Sequence, residues 1–384
     1  MPISDNRLSE VRELLREVPL IDGHNDLPWQ FRHRKKRAGE IDLAGHTGKL
    51  TPPLLTDIPR LRAGGVGAQF WAIYVPPHPA GPACVRAALK EIDLVHEICG
   101  RYCGTFELAL SADDIQRIHA AGKIASLIGI EGGHCIDNSL AVLRSMYRLG
   151  ARYLTLTHTR NTDWGDAAGD EPAHHGLTGF GEEVVRELNR LGMLVDLSHV
   201  SDETMHAALR VTRAPVLFSH SSSRAVCNHT RNVPDDILEA VRENGGIVMV
   251  CFLPGYLNNR AAAHWHLATA EQKRLENLYP NEPEKLDQER ETWLEAHPFP
   301  PASLLDVADH IDHIRMVAGI DHIGIGSDFE GYFGTVTGLE DVSCYPALLS
   351  ELLGRGYSRD DLGKIAGGNL LRVFRRAQEL ATRQ

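Results

Sequence analysis

Twenty histidines are the chemically useful excess in this 384-residue chain, and several stand beside carboxylates at the ends of short apolar runs. The run PLIDGHND (19–26) ends in His24 and Asp26. Alternate residues of a strand point the same way, so these two can reach one ion together. Glu131 closes IASLIGIEGG (124–133), His199 closes MLVDLSH (193–199), His220 closes PVLFSH (215–220) and Asp328 lies at the end of HIGIGSDF (322–329). Imidazole nitrogens mixed with carboxylate oxygens are a donor set suited to zinc. A lone strand-end histidine more often makes a structural hydrogen bond than binds a metal. Independent structural residues, however, have no reason to gather at C-terminal strand ends, whereas a metal centre requires it.

Three further runs, VGAQFWAIYV (66–75), YLTLTH (153–158) and GIVMVCF (246–252), bring the number to eight. Between them lie stretches of helical period such as FGEEVVRELNRLG, SDETMHAALRVT and PDDILEAVRENG, several opening at Ser or Asp and closing at Gly. This alternation specifies β-α units on a parallel sheet. Eight units predict an α/β fold, a (β/α)8 TIM barrel, as one domain over residues 1–384. Charged, Pro-flanked residues 257–300 read as a partly helical insertion between the seventh strand and its helix. Another helical stretch runs from about residue 340 to 380.

The net charge of −11 is spread along the chain, and its one short basic run, Arg32 to Arg37, reads as a solvated loop. A nucleic-acid partner is therefore not expected. The first twenty residues lack the apolar core of a signal peptide and no later stretch reaches membrane-spanning length, so a cytoplasmic location without a membrane partner is expected. Seven cysteines without a CxxC pair, with Cys99 and Cys103 one helical turn apart, suggest reduced thiols.

GHNDLPW, IEGGHCIDNSLAVLRSMYRLGARYLTLTHTRNT, VDLSHVSDETM, APVLFSHSSSRAV, RNVPDD, GIGSDFEG and GGNLLRVF resemble the renal (membrane) dipeptidases, peptidase family M19, over roughly residues 18–376. The resemblance implies a barrel of the metal-dependent hydrolase, amidohydrolase-like type, and a zinc-dependent dipeptidase acting on free dipeptides, often with a D-residue in second place, and a homodimer. It implies two Zn2+ per chain: His24, Asp26 and Glu131 hold one, Glu131, His199 and His220 hold the other, and Glu131 and a water or hydroxide bridge them. That hydroxide is the implied nucleophile. By the same resemblance His158 faces the substrate carbonyl, Arg231 grips the terminal carboxylate with Tyr256 beside it in the substrate site, and Asp328 is the catalytic carboxylate. On the residues alone, His158 could equally support a ligand, Arg231 form a loop ion pair, and Asp328 serve as a helix N-cap or sixth ligand.

Two other functions compete. Amidohydrolase-type barrels acting on a lactam, lactone or other amide often bridge their metals through a carboxylated lysine, but none of the eight lysines here ends a strand run, and Lys123 precedes one. A metal-loaded barrel that merely binds a peptide is opposed by the intact ligand set and Asp328. Animal members of the family are secreted and lipid-anchored. This sequence shows neither signal, so membrane attachment is not carried over.

Overall fold

The computed structural model describes residues 5–77, 81–280, 282–332 and 334–381. Its strands are β1 (Leu20–Asn25), β2 (Val66–Tyr74), β3 (Phe106–Leu108), β4 (Ile124–Glu131), β5 (Ala151–Thr155), β6 (Leu194–Asp196), β7 (Leu217–Phe218), β8 (Ile247–Val250), β9 (Ala302–Ser303), β10 (Ile323–Ile325) and β11 (Val336–Thr337). All six residues of β1 and all eight of β4 are buried, as near-continuous apolar runs require of parallel strands covered on both faces.

Each of the eight runs overlaps a barrel strand, although β5 begins two residues ahead of its run, at Ala151. The ring runs β1-β2-β4-β5-β6-β7-β8-β10, parallel throughout, and closes through the pairings of β2 with β4 and β10 with β1. The (β/α)8 barrel expected from the sequence is therefore the fold. The three residues of β3 are too few to show a period, and they were not anticipated. They pair with Ile124–Ser126 of β4, on the edge that β5 occupies from Ile128 onward.

The helices between strands follow their capping chemistry. Gly179–Leu191 opens where the Thr178 hydroxyl accepts from Gly181 N and closes at Gly192, which has φ 71°. Ser201 caps Asp202–Val211 in the same way. One glycine matters to the site. A Cβ on Gly129 would lie 1.9 Å from Tyr153 Cζ, so only glycine lets the Tyr153 ring lie across β4.

The insertion is more helical than its sequence suggested, forming Asn259–Leu278 and Pro283–Ala296, while Asn281 lies outside the described residues. The first of these helices buries only Ala261, Ala262 and Leu275. The C-terminal stretch contains helices Tyr345–Gly354, Arg359–Gly363 and Asn369–Leu380. The basic run needs correcting as a solvated loop. Lys35 to Arg37 are exposed, but Arg32 sits in the helix Leu27–His33 and reaches the buried Glu91, Nη1 to Oε1 2.8 Å, on its long apolar stem. No disulfide joins the seven cysteines among the described residues. No helix among the described residues is long and apolar enough to cross a membrane.

Candidate metal centre and substrate site

Because the barrel strands are parallel, their C-terminal ends open on one mouth. His24 belongs to β1 and Asp26 follows it, Glu131 ends β4, His158, His199 and His220 follow β5, β6 and β7, and Asp328 lies just beyond β10. Glu131 Oε1 is the hub. It stands 3.5 Å from His24 Nε2, 3.1 Å from His199 Nε2, 3.5 Å from His220 Nε2 and 3.5 Å from His158 Nε2. His24 Nε2 is also 3.3 Å from Asp26 Oδ2, and the Nε2 atoms of His199 and His220 are 2.8 Å apart.

This donor set fits divalent cations. The triads His24, Asp26, Glu131 and Glu131, His199, His220 each bring their ligand atoms within 4.8 Å of one another, and so does His24, His220, Asp328. His24 Nε2 is buried with no hydrogen-bond partner among the described residues. A buried imidazole nitrogen without a partner is costly unless a cation receives it. The backbone adds two outliers here, with His199 at φ 70° and Asp328 at φ 64°. Left-handed φ in a non-glycine costs about 1–3 kcal/mol and persists where surrounding structure over-determines it, often at functional sites.

The electrostatics agree with the geometry. Burial works against ionising Glu131, but His24, His158 and the hydrogen bond from His199 outweigh it and hold the carboxyl well below its usual range. Burial likewise opposes charge on His24, yet Tyr153, Glu131 and Asp26 raise it well above its ordinary value. A positive charge is thus favoured at Nε2, where a proton and a metal ion compete for one lone pair. Burial lowers His199 and His220 well below the normal histidine range and takes His158 to about 4, leaving all three neutral near pH 7. Burial, then the nearby Asp26 and Glu131 charges, push Asp328 well up, with His24 opposing.

The substrate-facing candidates gather on the same mouth. Arg231 is 6% exposed, and its Nη1 and Nη2 donate to Ser221 Oγ and His220 O at 3.2 Å each. Its Nε has no partner, and no carboxylate pairs with it among the described residues, so the loop-ion-pair reading does not describe this arginine. Tyr256 places its ring 5.2 Å from the Arg231 guanidinium carbon. His158 Nδ1 meets Thr159 Oγ1 at 3.3 Å, and its ring lies between Tyr74 and His199. Asp328 caps no helix, since Phe329 to Tyr332 form a bridge and turn, and Cys251 Sγ approaches its Oδ2 at 3.6 Å.

Sequence reasoning missed the polar residues that hold these candidates. Asp22 accepts from Ser327 N, Ser327 Oγ and Tyr345 Oη at 2.7 Å each and from Gln69 Nε2 at 3.0 Å, tying β1 to the chain beyond β10. Asp196, Ser219 and Tyr153 do similar work around β5, β6 and β7. A signal existed: an Asp or Ser inside a fully buried strand run, as in PLIDGHND and MLVDLSH, must find donors there.

Comparison with known proteins gives the same direction. A profile of the family described as membrane dipeptidase (peptidase family M19) matches residues 8–384. Dipeptidase 3 of Macaca fascicularis is 44% identical over 379 residues, covering 97% of this chain and 68% of that protein. Among solved structures, the probable dipeptidase PvdM from Pseudomonas aeruginosa superposes with TM-score 0.83 at 27% identity, covering 98% of this chain and 99% of that one. A metallopeptidase from Rhodobacter sphaeroides, solved with a phosphinate mimic of the dipeptide L-Ala-D-Ala, gives TM-score 0.75 at 25% identity, with coverage of 94% and 99%.

Proposed function

We propose that this chain, which belongs to the membrane dipeptidase family, peptidase family M19, hydrolyses free dipeptides at two zinc ions held by its strand-end donors. Membership makes it a peptide-bond hydrolase of the metallopeptidase kind. The observation that supports the two-ion reading is the position of Glu131, one carboxylate oxygen within 3.5 Å of His24 on one side and of His199 and His220 on the other. His24 and Asp26 would complete one site, His199 and His220 the other, with Glu131 shared.

When bound, the two ions would polarise the scissile carbonyl and lower the pKa of bound water to about 7, supplying a nucleophile near neutrality. His158, neutral in its buried slot, presents an N–H toward the carbonyl oxygen as negative charge develops there. Asp328, as the carboxylate, takes the proton of the attacking water and passes it to the leaving amine, and burial with the nearby Asp26 and Glu131 raises its affinity for that proton. The spare Nε–H of Arg231, with the Tyr256 ring beside the guanidinium, receives the substrate's terminal carboxylate. In a longer peptide an amide stands where that carboxylate would be, which limits the substrate to two residues. The ligand of the Rhodobacter protein supports acceptance of a D-residue in the second place.

A panel of dipeptides with L and D forms at each position, combined with elemental analysis, tests this reading. Two zinc ions per chain and cleavage confined to free dipeptides are expected. One ion per fully active chain, or equal cleavage of C-terminally amidated dipeptides, would contradict it.

A further inference from the structure

Two of the candidate ligand histidines rest Nδ1 on a hydroxyl that has a second acceptor beside it. Ser219 Oγ lies 2.7 Å from Asp196 Oδ2 and 2.8 Å from His220 Nδ1. A carboxylate only accepts, so the single hydroxyl proton goes to Asp196 and Ser219 must accept from Nδ1–H of His220. The lone pair of His220 is therefore on Nε2, the atom that faces Glu131 Oε1 and His199 Nε2. Asp196 is fully buried and takes three more donors, Thr155 Oγ1 at 2.6 Å, Ser219 N at 2.8 Å and Ser198 N at 3.1 Å.

Tyr153 repeats the arrangement on His24. Its hydroxyl is 2.9 Å from His24 Nδ1 and donates to the Gly23 carbonyl at 3.3 Å. With its proton on the Gly23 carbonyl, Tyr153 accepts from Nδ1–H, and the His24 lone pair then falls on Nε2. That is the nitrogen left without a hydrogen-bond partner beside Asp26 and Glu131. The two relays differ in strength. The one through Ser219 ends on a carboxylate at short range, the one through Tyr153 on a neutral carbonyl at longer range, and charge-assisted hydrogen bonds are the stronger kind.

We propose that Ser219, backed by Asp196, and Tyr153 are positioning residues. They fix the Nδ1–H tautomers of His220 and His24 and thereby set zinc affinity, each for a different ion of the pair. The proposal rests on the two-ion reading above. Partners of this sort typically tune metal affinity about 10- to 100-fold. They also orient the ring, because a histidine held at Nδ1 cannot rotate its Nε2 away from the shared carboxylate.

Zinc retention against a graded chelator series, measured by elemental analysis on the purified protein alongside its thermal unfolding, tests this directly. The wild type should release its ions in two steps. Ser219→Ala should weaken one step by about 10- to 100-fold. Asp196→Asn should weaken the same step, because the amide offers a donor where only an acceptor stood and turns the Ser219 hydroxyl around. Ser219→Thr, which keeps the hydroxyl, should restore it. Tyr153→Phe should weaken the other step, by less. Variants that retain both ions like the wild type would overturn the proposal while leaving the two-ion centre standing, and so would Ser219→Ala and Tyr153→Phe weakening the same step. A wild type with a single ion overturns the two-ion reading and the proposal together. Should Ser219→Ala fail to fold, Asp196→Asn and Tyr153→Phe make the same distinction.

Discussion

Around Glu131, polar groups answer polar groups: His24 and His220 each rest Nδ1 on a hydroxyl, and Asp22 and Asp196 collect four donors or more from neighbouring elements. Around Arg231, rings gather beside its hydrogen bonds to Ser221 and His220. Tyr256 lies against the guanidinium, His229 lies 4.7 Å from Tyr256, and the insertion contributes Trp265 at 6.3 Å from Tyr256 and His266 at 5.3 Å from His229. The first arrangement leaves each donor one workable orientation, since a displaced group would lose its buried partner. Ring packing tolerates exchange of one side chain for another of similar size. The metal half of the mouth should thus resist change, while the clamp half, partly built by an insertion that buries little, can alter preference without disturbing the ions.

The sharpest way to break this comparison is Glu131→Ala. Both ions should be lost or greatly weakened together, and turnover should fall by more than the roughly 10⁴-fold that acid–base catalysis alone supplies. Retention of one tight ion with residual turnover would show that the two ligand pairs do not share their carboxylate. Next in size is Asp328→Asn. The variant should keep both ions and bind dipeptide, yet lose about 10²- to 10⁴-fold in kcat. If an ion is lost instead, Asp328 belongs to the ligand set, as the His24, His220, Asp328 triad would permit.

Arg231→Ala probes the other half. Loss of a charge-assisted contact should lower kcat/KM for free dipeptides by about 10- to 100-fold, with metal content unchanged. An equal loss on amidated dipeptides would remove the carboxylate from the explanation. The smallest effect is expected at Glu91, a buried carboxylate outside both halves. Among the described residues it has one cation, Arg32, and its Oε2 lacks a partner, and burial lifts its pKa to about 8. A folded-state pKa above the unfolded value near 4.5 means that its contribution is fully present below about pH 4.5 and is lost as pH rises through about 8. Glu91→Gln removes that dependence. Its Tm relative to wild type should climb from pH 5 to pH 8.5, with kcat at pH 7 little changed, and parallel Tm curves would refute the assignment.

The five proposed ligands were legible because a parallel barrel turns the end of every apolar run toward the same mouth, whereas His158 and the role of Asp328, at strand ends too, were singled out through the family resemblance. His24, Asp26, Glu131, His158, His199, His220 and Asp328 all stand there. Arg231 and Tyr256 lie in the segments after β7 and β8, where periodicity is silent, and were reached only through the family resemblance. The short β3 and the contact of Arg32 with Glu91 escaped notice for a related reason: a three-residue strand has no period, and a basic run carries no mark of the acid it will meet.

By itself the sequence determined the eight strands, their order and the donors they carry forward, because burial on both faces and capping at the helix ends are local properties. Only the tertiary structure decided which hydroxyl each imidazole meets. Tyr153 reaches His24 across 129 positions because Gly129 leaves room for its ring. Asp196 finds Thr155 and Ser219 because the register sets Thr155 opposite Asp196 and Asp196 opposite Leu217. Register and ring closure are properties of strands already paired, and they decide which hydroxyl stands beside each imidazole nitrogen.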